Sequence, residues 1–140
     1  MSVERVLEVG IAVKNLDEAT RLFTDILGAK HEGTMEVEMY HMRFSYCQIG
    51  DVVFELMEPT SDDGVMADFI KRHGEGLHHI ALKVSDIEDT LALMKQKNIK
   101  LIDENPRFLK LHQGDGKFAF VHPKSFHGVM FELIQILTSN

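Results

Sequence analysis

The chain has 140 residues, of which 44% are hydrophobic and 26% are charged, and this balance fits a single domain with a buried core. Its net charge of −7 argues against a duplex nucleic-acid binder, because such proteins depend on a basic surface. No apolar run reaches the roughly 18 residues of a membrane span, and the single cysteine excludes a disulfide framework. The start of the chain lacks the pattern of a signal peptide, so we expect a cytoplasmic protein with no membrane or nucleic-acid partner.

The first half of the chain is predicted to fold as βαβββ. Residues 7–13 alternate between apolar and other positions, which is typical of a strand. Asn15 is a suitable N-cap for a helix that runs to about Leu27, and Gly28 is placed to end it. Three further strands are predicted near residues 30–35, 37–49 and 51–58.

The second half repeats this order of elements. Residues 78–84 alternate as a strand does, and Asp86 can cap a helix that runs to about Lys97. Three shorter strands are predicted near residues 100–103, 117–121 and 128–136. A short helix over about residues 64–72 is predicted in the link between the halves.

Internal similarity relates the two halves through two matches that keep their order. Residues 8–17 match residues 79–88 at an offset of 71, and residues 52–57 match residues 129–134 at an offset of 77. The six additional residues (77 − 71) are expected around residues 109–117, because loops accept insertions. We therefore expect one α+β domain with a curved mixed sheet, made of a βαβββ module over about residues 1–66 and another over about residues 67–140.

Polar residues fall at equivalent positions of the two modules. Glu8 matches His79, and both are expected on the helix-free face of their strands, next to small residues. Glu55 matches Glu132, and each interrupts an apolar run between Phe and Leu. A carboxylate on a central strand is costly to bury unless something neutralises it.

We therefore predict a metal-binding cleft formed by Glu8, Glu55, His79 and Glu132. Any one of these residues, taken alone, is more often a surface or core residue than a ligand, and it is the paired placement that favours ligation. Three carboxylates and one imidazole are a hard, oxygen-rich set that suits one divalent ion (Co, Mn, Ni, Zn or Mg) in an open octahedral site.

Several segments resemble the vicinal oxygen chelate superfamily, which includes glyoxalase I, extradiol dioxygenases, bleomycin-resistance proteins and methylmalonyl-CoA epimerase. The segments most similar to the epimerase are residues 74–82 (GEGLHHIAL) and residues 122–133 (HPKSFHGVMFEL). In that family each of four strands supplies one metal ligand, and by position these are the same four residues. The chain departs from the epimerases at Glu8, where they usually carry His, and this makes the site one charge more negative.

The resemblance implies removal of a proton next to a thioester carbonyl, with the enolate stabilised by the metal as a Lewis acid. Epimerisation needs a base on one face of the planar enolate and an acid on the other. Glu132 is the first candidate for one of these groups. The second is Glu38, expected on a strand facing the same cavity, or Glu8. The implied substrate is a small acyl-CoA or a glutathione thioester-type compound, and the implied assembly is a homodimer.

The leading hypothesis is therefore a methylmalonyl-CoA epimerase-like isomerase. One alternative is a lyase of the glyoxalase I (lactoylglutathione lyase) type, which applies the same chemistry to a glutathione hemithioacetal. The other alternative is a metal-free small-molecule binding protein of the drug-resistance type, which would need none of the four polar residues.

Overall fold

A computed structural model describes residues 3–111 and 114–139 of the chain. The described residues form eight strands and three helices in the order predicted for two βαβββ modules joined by a helix, which confirms the α+β class. None of the described helices has the length and apolar character that crossing a bilayer requires. The helices are α1 (Leu16–Arg21), α2 (Val65–His73) and α3 (Ile87–Gln96), and the strands are β1 (Val3–Ala12), β2 (Lys30–Val37), β3 (Met42–Ile49), β4 (Val52–Pro59), β5 (Gly76–Val84), β6 (Arg107–Leu111), β7 (Gly114–Val121) and β8 (Phe131–Ser139).

The strands lie in the order β2-β3-β4-β1 in the first half of the chain and in the order β5-β8-β7-β6 in the second half. Strand β1 is parallel to β4, β5 is parallel to β8, and the pairs β2–β3, β3–β4, β6–β7 and β7–β8 are antiparallel. The described residues pack as two compact units. Unit A comprises Glu8–His78, and unit B comprises residues 3–7 together with the described residues from His79 onward, so β1 contributes to both.

The parallel strand pairs of the two modules have the same register. Gly10 lies beside Glu55 in β1–β4, and Ala81 lies beside Glu132 in β5–β8. The spacings between these equivalent residues are 71 and 77 positions, which are the offsets of the two sequence matches. The backbone pairing of the two modules therefore has the same offsets as the two sequence matches.

Each module packs one face of its strands under its own helix. In unit A the buried cluster on this face contains Val13, Leu16, Cys47 and Leu56. In unit B the corresponding cluster contains Val84, Ile87, Leu91, Ala119, Val121 and Leu133. Burying these side chains leaves the opposite face of each strand pair for the polar residues singled out above, because side chains alternate across a strand.

Helices α1 and α3 begin at the N-caps that the sequence predicts. The Asn15 side chain accepts a hydrogen bond from the Glu18 N–H at 3.0 Å, and the Asp86 side chain accepts one from the Asp89 N–H at 3.0 Å. After Arg21 the first helix continues as one π-helical turn, Leu22–Ile26, and Gly28 follows with a φ of 72°. A positive φ at this point stops the helix and suits glycine.

A side chain from the last strand of each module also binds the start of its helix. The Leu16 N–H donates to Glu58 Oε2 at 2.8 Å, and the Ile87 N–H donates to Gln135 Oε1 at 2.9 Å. These N–H groups lie in the first helical turn and have no acceptor within the helix. Each helix is therefore tied directly to the sheet beneath it.

Two strand predictions are wrong in detail. Residues 100–103 do not form a strand, because Leu101 makes only an isolated bridge with Val121. The strand that precedes β7 in the chain and pairs with it is β6. The predicted strand over residues 37–49 begins only at Met42, because a 3-10 turn over Glu38–Tyr40 and a left-handed residue at His41 interrupt it. The predicted insertion around residues 109–117 falls on β6 and β7, with residues 112 and 113 outside the described ranges.

Candidate functional site

In unit A, the face of β1 and β4 turned away from α1 carries Glu8 and Glu55. Glu8 of β1 lies beside Val53 of β4. Glu55 lies two residues after Val53 on β4, beside Gly10 of β1. The two carboxylates therefore share one face and are offset by one side-chain position. Glu8 is only 4% exposed and Glu55 is half-buried, while Gly10 places no side chain next to the Glu55 carboxylate.

In unit B, the equivalent face carries His79 and Glu132. Glu132 lies beside Ala81, and His79 lies two residues before Ala81 on the same strand. His79 Nε2 is 3.2 Å from Glu132 Oε1, and the two residues are 3% and 8% exposed. The imidazole and the carboxylate are therefore in direct polar contact in a buried environment.

Aromatic side chains stand next to the equivalent glutamates on the neighbouring strands. Tyr46, which is buried, pairs with Glu55 across β3–β4, and Phe120 pairs with Glu132 across β7–β8. The Phe120 ring also makes an edge-to-face contact with the His79 ring, with centroids 5.6 Å apart.

These two aromatic residues were not predicted, although the sequence contains a signal for them. Residues 44–46 (FSY) and 118–120 (FAF) match at an offset of 74, between the two offsets that were used. In both triplets a small residue separates two aromatic ones, so the aromatic residues share a face.

Glu38 does not lie where it was predicted. It begins the 3-10 turn between β2 and β3 and is exposed, so the expectation that it faces a cavity from a strand is wrong. His41 ends that turn with a φ of 54°, and this turn is the reason that the strand cannot run on from residue 37.

The donors match the chemistry of a divalent cation. Carboxylate oxygens and an imidazole nitrogen are ligands that Mg²⁺, Mn²⁺, Co²⁺, Ni²⁺ and Zn²⁺ accept. Glu8 and Glu132 are also buried, and a buried carboxylate needs a compensating positive charge. Within residues 3–111 and 114–139 no group of three or more His, Cys, Asp or Glu side chains forms a ready-made metal site. Each unit thus provides one pair of candidate ligands.

Cys47 lies on the helix side of unit A and is not a candidate nucleophile. Its side chain is fully buried, and its Sγ is 3.9 Å from Ser45 Oγ. Burial raises the pKa of the Cys47 thiol above its usual value, and the hydrogen bond from Ser45 only partly opposes this. The thiol therefore stays protonated near neutral pH and acts as a packing group.

A family model described as the Glyoxalase/Bleomycin resistance protein/Dioxygenase superfamily matches residues 8–120. Among curated proteins, the uncharacterized protein YqjC of Bacillus subtilis (strain 168) is 31% identical over 135 residues, covering 95% of this chain and 93% of that protein. The mitochondrial methylmalonyl-CoA epimerase of Homo sapiens is 29% identical over 132 residues, covering 94% of this chain and 73% of that protein.

The fold also matches solved structures over almost its whole length. A methylmalonyl-CoA epimerase in complex with methylmalonyl-CoA and NH4+ superimposes with a TM-score of 0.86 at 28% identity, covering 99% of both chains. The match extends through both modules, so it includes all four polar positions of the two faces described above.

Proposed function

The chain belongs to the glyoxalase/bleomycin resistance protein/dioxygenase superfamily, and within it we propose a metal-dependent epimerase that acts on an acyl-CoA thioester of the methylmalonyl-CoA type. The observation that carries this proposal is the shared register, which places a pair of polar side chains at equivalent positions of both modules. Relatives and a structural neighbour named methylmalonyl-CoA epimerase, similar over almost the full chain, support the choice of reaction.

We propose that the Glu8/Glu55 pair and the His79/Glu132 pair bind the same divalent ion, chosen from Co, Mn, Ni, Zn and Mg. When bound, such an ion supplies a Lewis acid that stabilises negative charge on an enolate oxygen. Because Glu8 stands where epimerases usually have His, the ligand set carries one more negative charge. We therefore expect a preference for harder ions such as Mn²⁺ and Mg²⁺.

Glu132 is the residue that we propose to move the α-proton. Its carboxylate is buried, and its Oε1 lies 3.2 Å from His79 Nε2. A carboxylate in this environment can accept a proton from carbon and return it. Epimerisation needs a second group on the opposite face of the planar intermediate. Because Glu38 is exposed on a turn, we propose Glu8, the alternative, for that group.

The proposal is tested by hydrogen exchange at the α-carbon. One epimer of methylmalonyl-CoA is incubated with the protein in D₂O and Co²⁺ or Mn²⁺, and deuterium incorporation is followed by NMR. We expect incorporation with wild-type protein and with Glu104→Gln, an exposed glutamate that serves as the matched control, and loss of incorporation with Glu132→Gln.

Two results would contradict the proposal. The first is the absence of exchange with all five candidate ions. The second is turnover of methylglyoxal plus glutathione by a protein that leaves the CoA thioester unchanged, because this would assign the chain to the glyoxalase I type of chemistry instead.

A further inference from the structure

Phe120 is fixed along both edges of its strand. On one edge it pairs with Glu132 of β8. On the other edge its N–H donates to Asp103 Oδ2 at 2.9 Å, and its carbonyl accepts from the N–H groups of Ile102 and Asp103 at 3.0 and 3.1 Å. The Asp103 carboxylate thus takes the place of a strand carbonyl at the point where β6 no longer pairs with β7.

The same carboxylate oxygen holds Arg107. Arg107 Nη2 is 3.1 Å from Asp103 Oδ2, and its guanidinium carbon lies 4.4 Å from the ring centre of Phe118 and 6.0 Å from that of Phe120. Arg107 pairs with Phe118 across β6–β7, so it shares the face that carries Glu132 and His79. The guanidinium covers the outer side of this aromatic pair, where its charge is attracted by the π-faces.

The aromatic pair in turn contacts the candidate metal ligand. The rings of Phe120 and His79 meet edge-to-face at an interplanar angle of 86°, an arrangement that aromatic rings prefer and that restricts rotation of the smaller ring. His79 Nε2 then reaches Glu132 Oε1 at 3.2 Å. A continuous chain of contacts therefore runs from Asp103 to the imidazole.

We propose that Asp103, Arg107 and Phe120 form a positioning clamp that sets the orientation of the His79 imidazole for metal binding. This inference rests on the proposed function, because it takes His79 to be a metal ligand. An imidazole presents its nitrogen lone pair in one direction only, so ring orientation decides whether it can ligate. None of the three clamp residues is a ligand; they act through His79.

Unit A supports the clamp assignment, because it has neither the imidazole nor the arginine at the equivalent positions. Unit A has Glu8 at the position equivalent to His79. The counterpart of Phe118 in unit A is Phe44, and its partner on the neighbouring strand is Met35, where unit B has Arg107. A carboxylate can offer either oxygen after a small rotation and does not need a ring plane to be set. The arginine is thus found in the module that has an imidazole to orient.

Two measurements test the clamp in Arg107→Met, Arg107→Lys and Phe120→Leu. The first is NMR of the His79 ring nitrogens and carbons in metal-free protein, and the second is Co²⁺ affinity by competition calorimetry. We expect Phe120→Leu to weaken Co²⁺ binding about 10-fold and to split or broaden the His79 signals, because losing the support of a ligating histidine costs about this much. Arg107→Met should weaken binding about threefold, as loss of an exposed cation–π contact predicts, and Arg107→Lys should recover most of this.

Arg43→Met is the matched control, since Arg43 is also an ion-paired arginine but lies in unit A. It should lower stability without changing the His79 signals or the Co²⁺ affinity measured below its unfolding transition. Wild-type affinity and unchanged His79 signals in both Arg107→Met and Phe120→Leu would overturn the clamp. A wild-type chain that binds no Co²⁺ overturns both the clamp and the proposed metal site, whereas Co²⁺ binding without α-proton exchange overturns the epimerase proposal alone.

Discussion

The two modules anchor their helices by the same hydrogen bond but with different charges. In unit A the acceptor is the Glu58 carboxylate, whose Oε1 is 3.1 Å from Arg43 Nη1, and Arg43 Nη2 is 3.6 Å from Asp17 Oδ1. In unit B the acceptor is the neutral Gln135 amide. The cation at the position of Arg43 is Lys117, and it pairs with Glu88, the counterpart of Asp17.

This difference separates what the backbone requires from what the side chains add. Both helices need an acceptor for an N–H in their first turn, and both obtain it at the same position of the last strand. A carboxylate that is only 16% exposed also needs a cation, whereas an amide does not. Arg43 is therefore expected to be essential to its anchor and Lys117 dispensable.

The largest expected effect concerns the equivalent glutamates of the two polar faces. Glu132→Gln should slow α-proton exchange about 10³-fold at saturating Co²⁺, because it removes the proposed proton acceptor. Glu55→Gln should instead raise the Co²⁺ dissociation constant about 100-fold, the upper end of what changes around a metal ligand cause. Exchange rates measured against Co²⁺ concentration distinguish the two effects.

If saturating Co²⁺ restores exchange in Glu132→Gln as fully as in Glu55→Gln, the two glutamates have the same role. The module comparison would then extend from the backbone to the chemistry, and Glu132 would lose its assignment as the group that moves the proton.

The next largest effect concerns the helix anchors. Arg43→Met should lower the free energy of unfolding by about 2 kcal/mol, because it leaves a mostly buried carboxylate without its cation. Lys117→Met should cost less than about 0.5 kcal/mol, because its partner, the Glu88 carboxylate, is 53% exposed and can be solvated without the cation. Urea unfolding followed by circular dichroism measures both.

Converting the charged helix anchor of unit A into the neutral anchor of unit B tests whether charge explains the difference. Glu58→Gln in the Arg43→Met background copies the neutral acceptor of unit B, and we expect it to restore more than half of the lost stability. No recovery in the double variant would mean that Arg43 stabilises unit A through packing of its stem and not through the Glu58 charge.

The N-caps should show a smaller and equal effect. Asn15→Ala and Asp86→Ala each remove an acceptor for one N–H of the first turn, and each should cost about 1 kcal/mol. Unfolding free energies that differ by more than about 1 kcal/mol between the two variants would show that the modules do not depend on their caps to the same degree.

The smallest effect is a pH dependence in unit B. The hydrogen bond from Lys117 lowers the pKa of Glu88 below its ordinary value of 4.5. The stability that this interaction contributes is fully present at pH values above 4.5, where Glu88 is ionised in both the folded and the unfolded state. It is lost as the pH falls through the lowered pKa of the folded state. In Lys117→Met, an NMR titration of the Glu88 carboxyl carbon should show the pKa returning toward 4.5; an unchanged titration curve would show that Lys117 does not cause the shift.

The sequence was sufficient to predict the features that depend on periodicity and repetition. Alternation placed Glu8 on the face away from α1 and His79 on the face away from α3, although α2 packs against Ala12 and Met57 on the Glu8 face. The two offsets anticipated the register that sets Gly10 beside Glu55 and Ala81 beside Glu132. The capping roles of Asn15 and Asp86 were also predicted correctly, because a cap depends on local chemistry alone.

The failures occurred where a side chain or a turn replaces backbone pairing. The predicted strand over residues 100–103 is absent because the Asp103 carboxylate bonds the Phe120 N–H in place of a strand carbonyl. Glu38 was misplaced because a left-handed residue, His41, ends a turn that hydrophobic alternation does not reveal. Neither feature has a periodic signature, so neither could be predicted from the hydrophobic pattern.

Metal content tests the proposal that the Glu8/Glu55 and His79/Glu132 pairs bind one divalent ion. Wild-type protein and the four variants Glu8→Ala, Glu55→Ala, His79→Ala and Glu132→Ala are loaded with Mn²⁺ or Co²⁺, dialysed and analysed by inductively coupled plasma mass spectrometry. We expect one ion per wild-type chain and its loss from every variant, whichever unit the variant alters. Retention of the ion by both single variants of either pair, or the absence of any bound ion in the wild-type chain, would contradict the shared site.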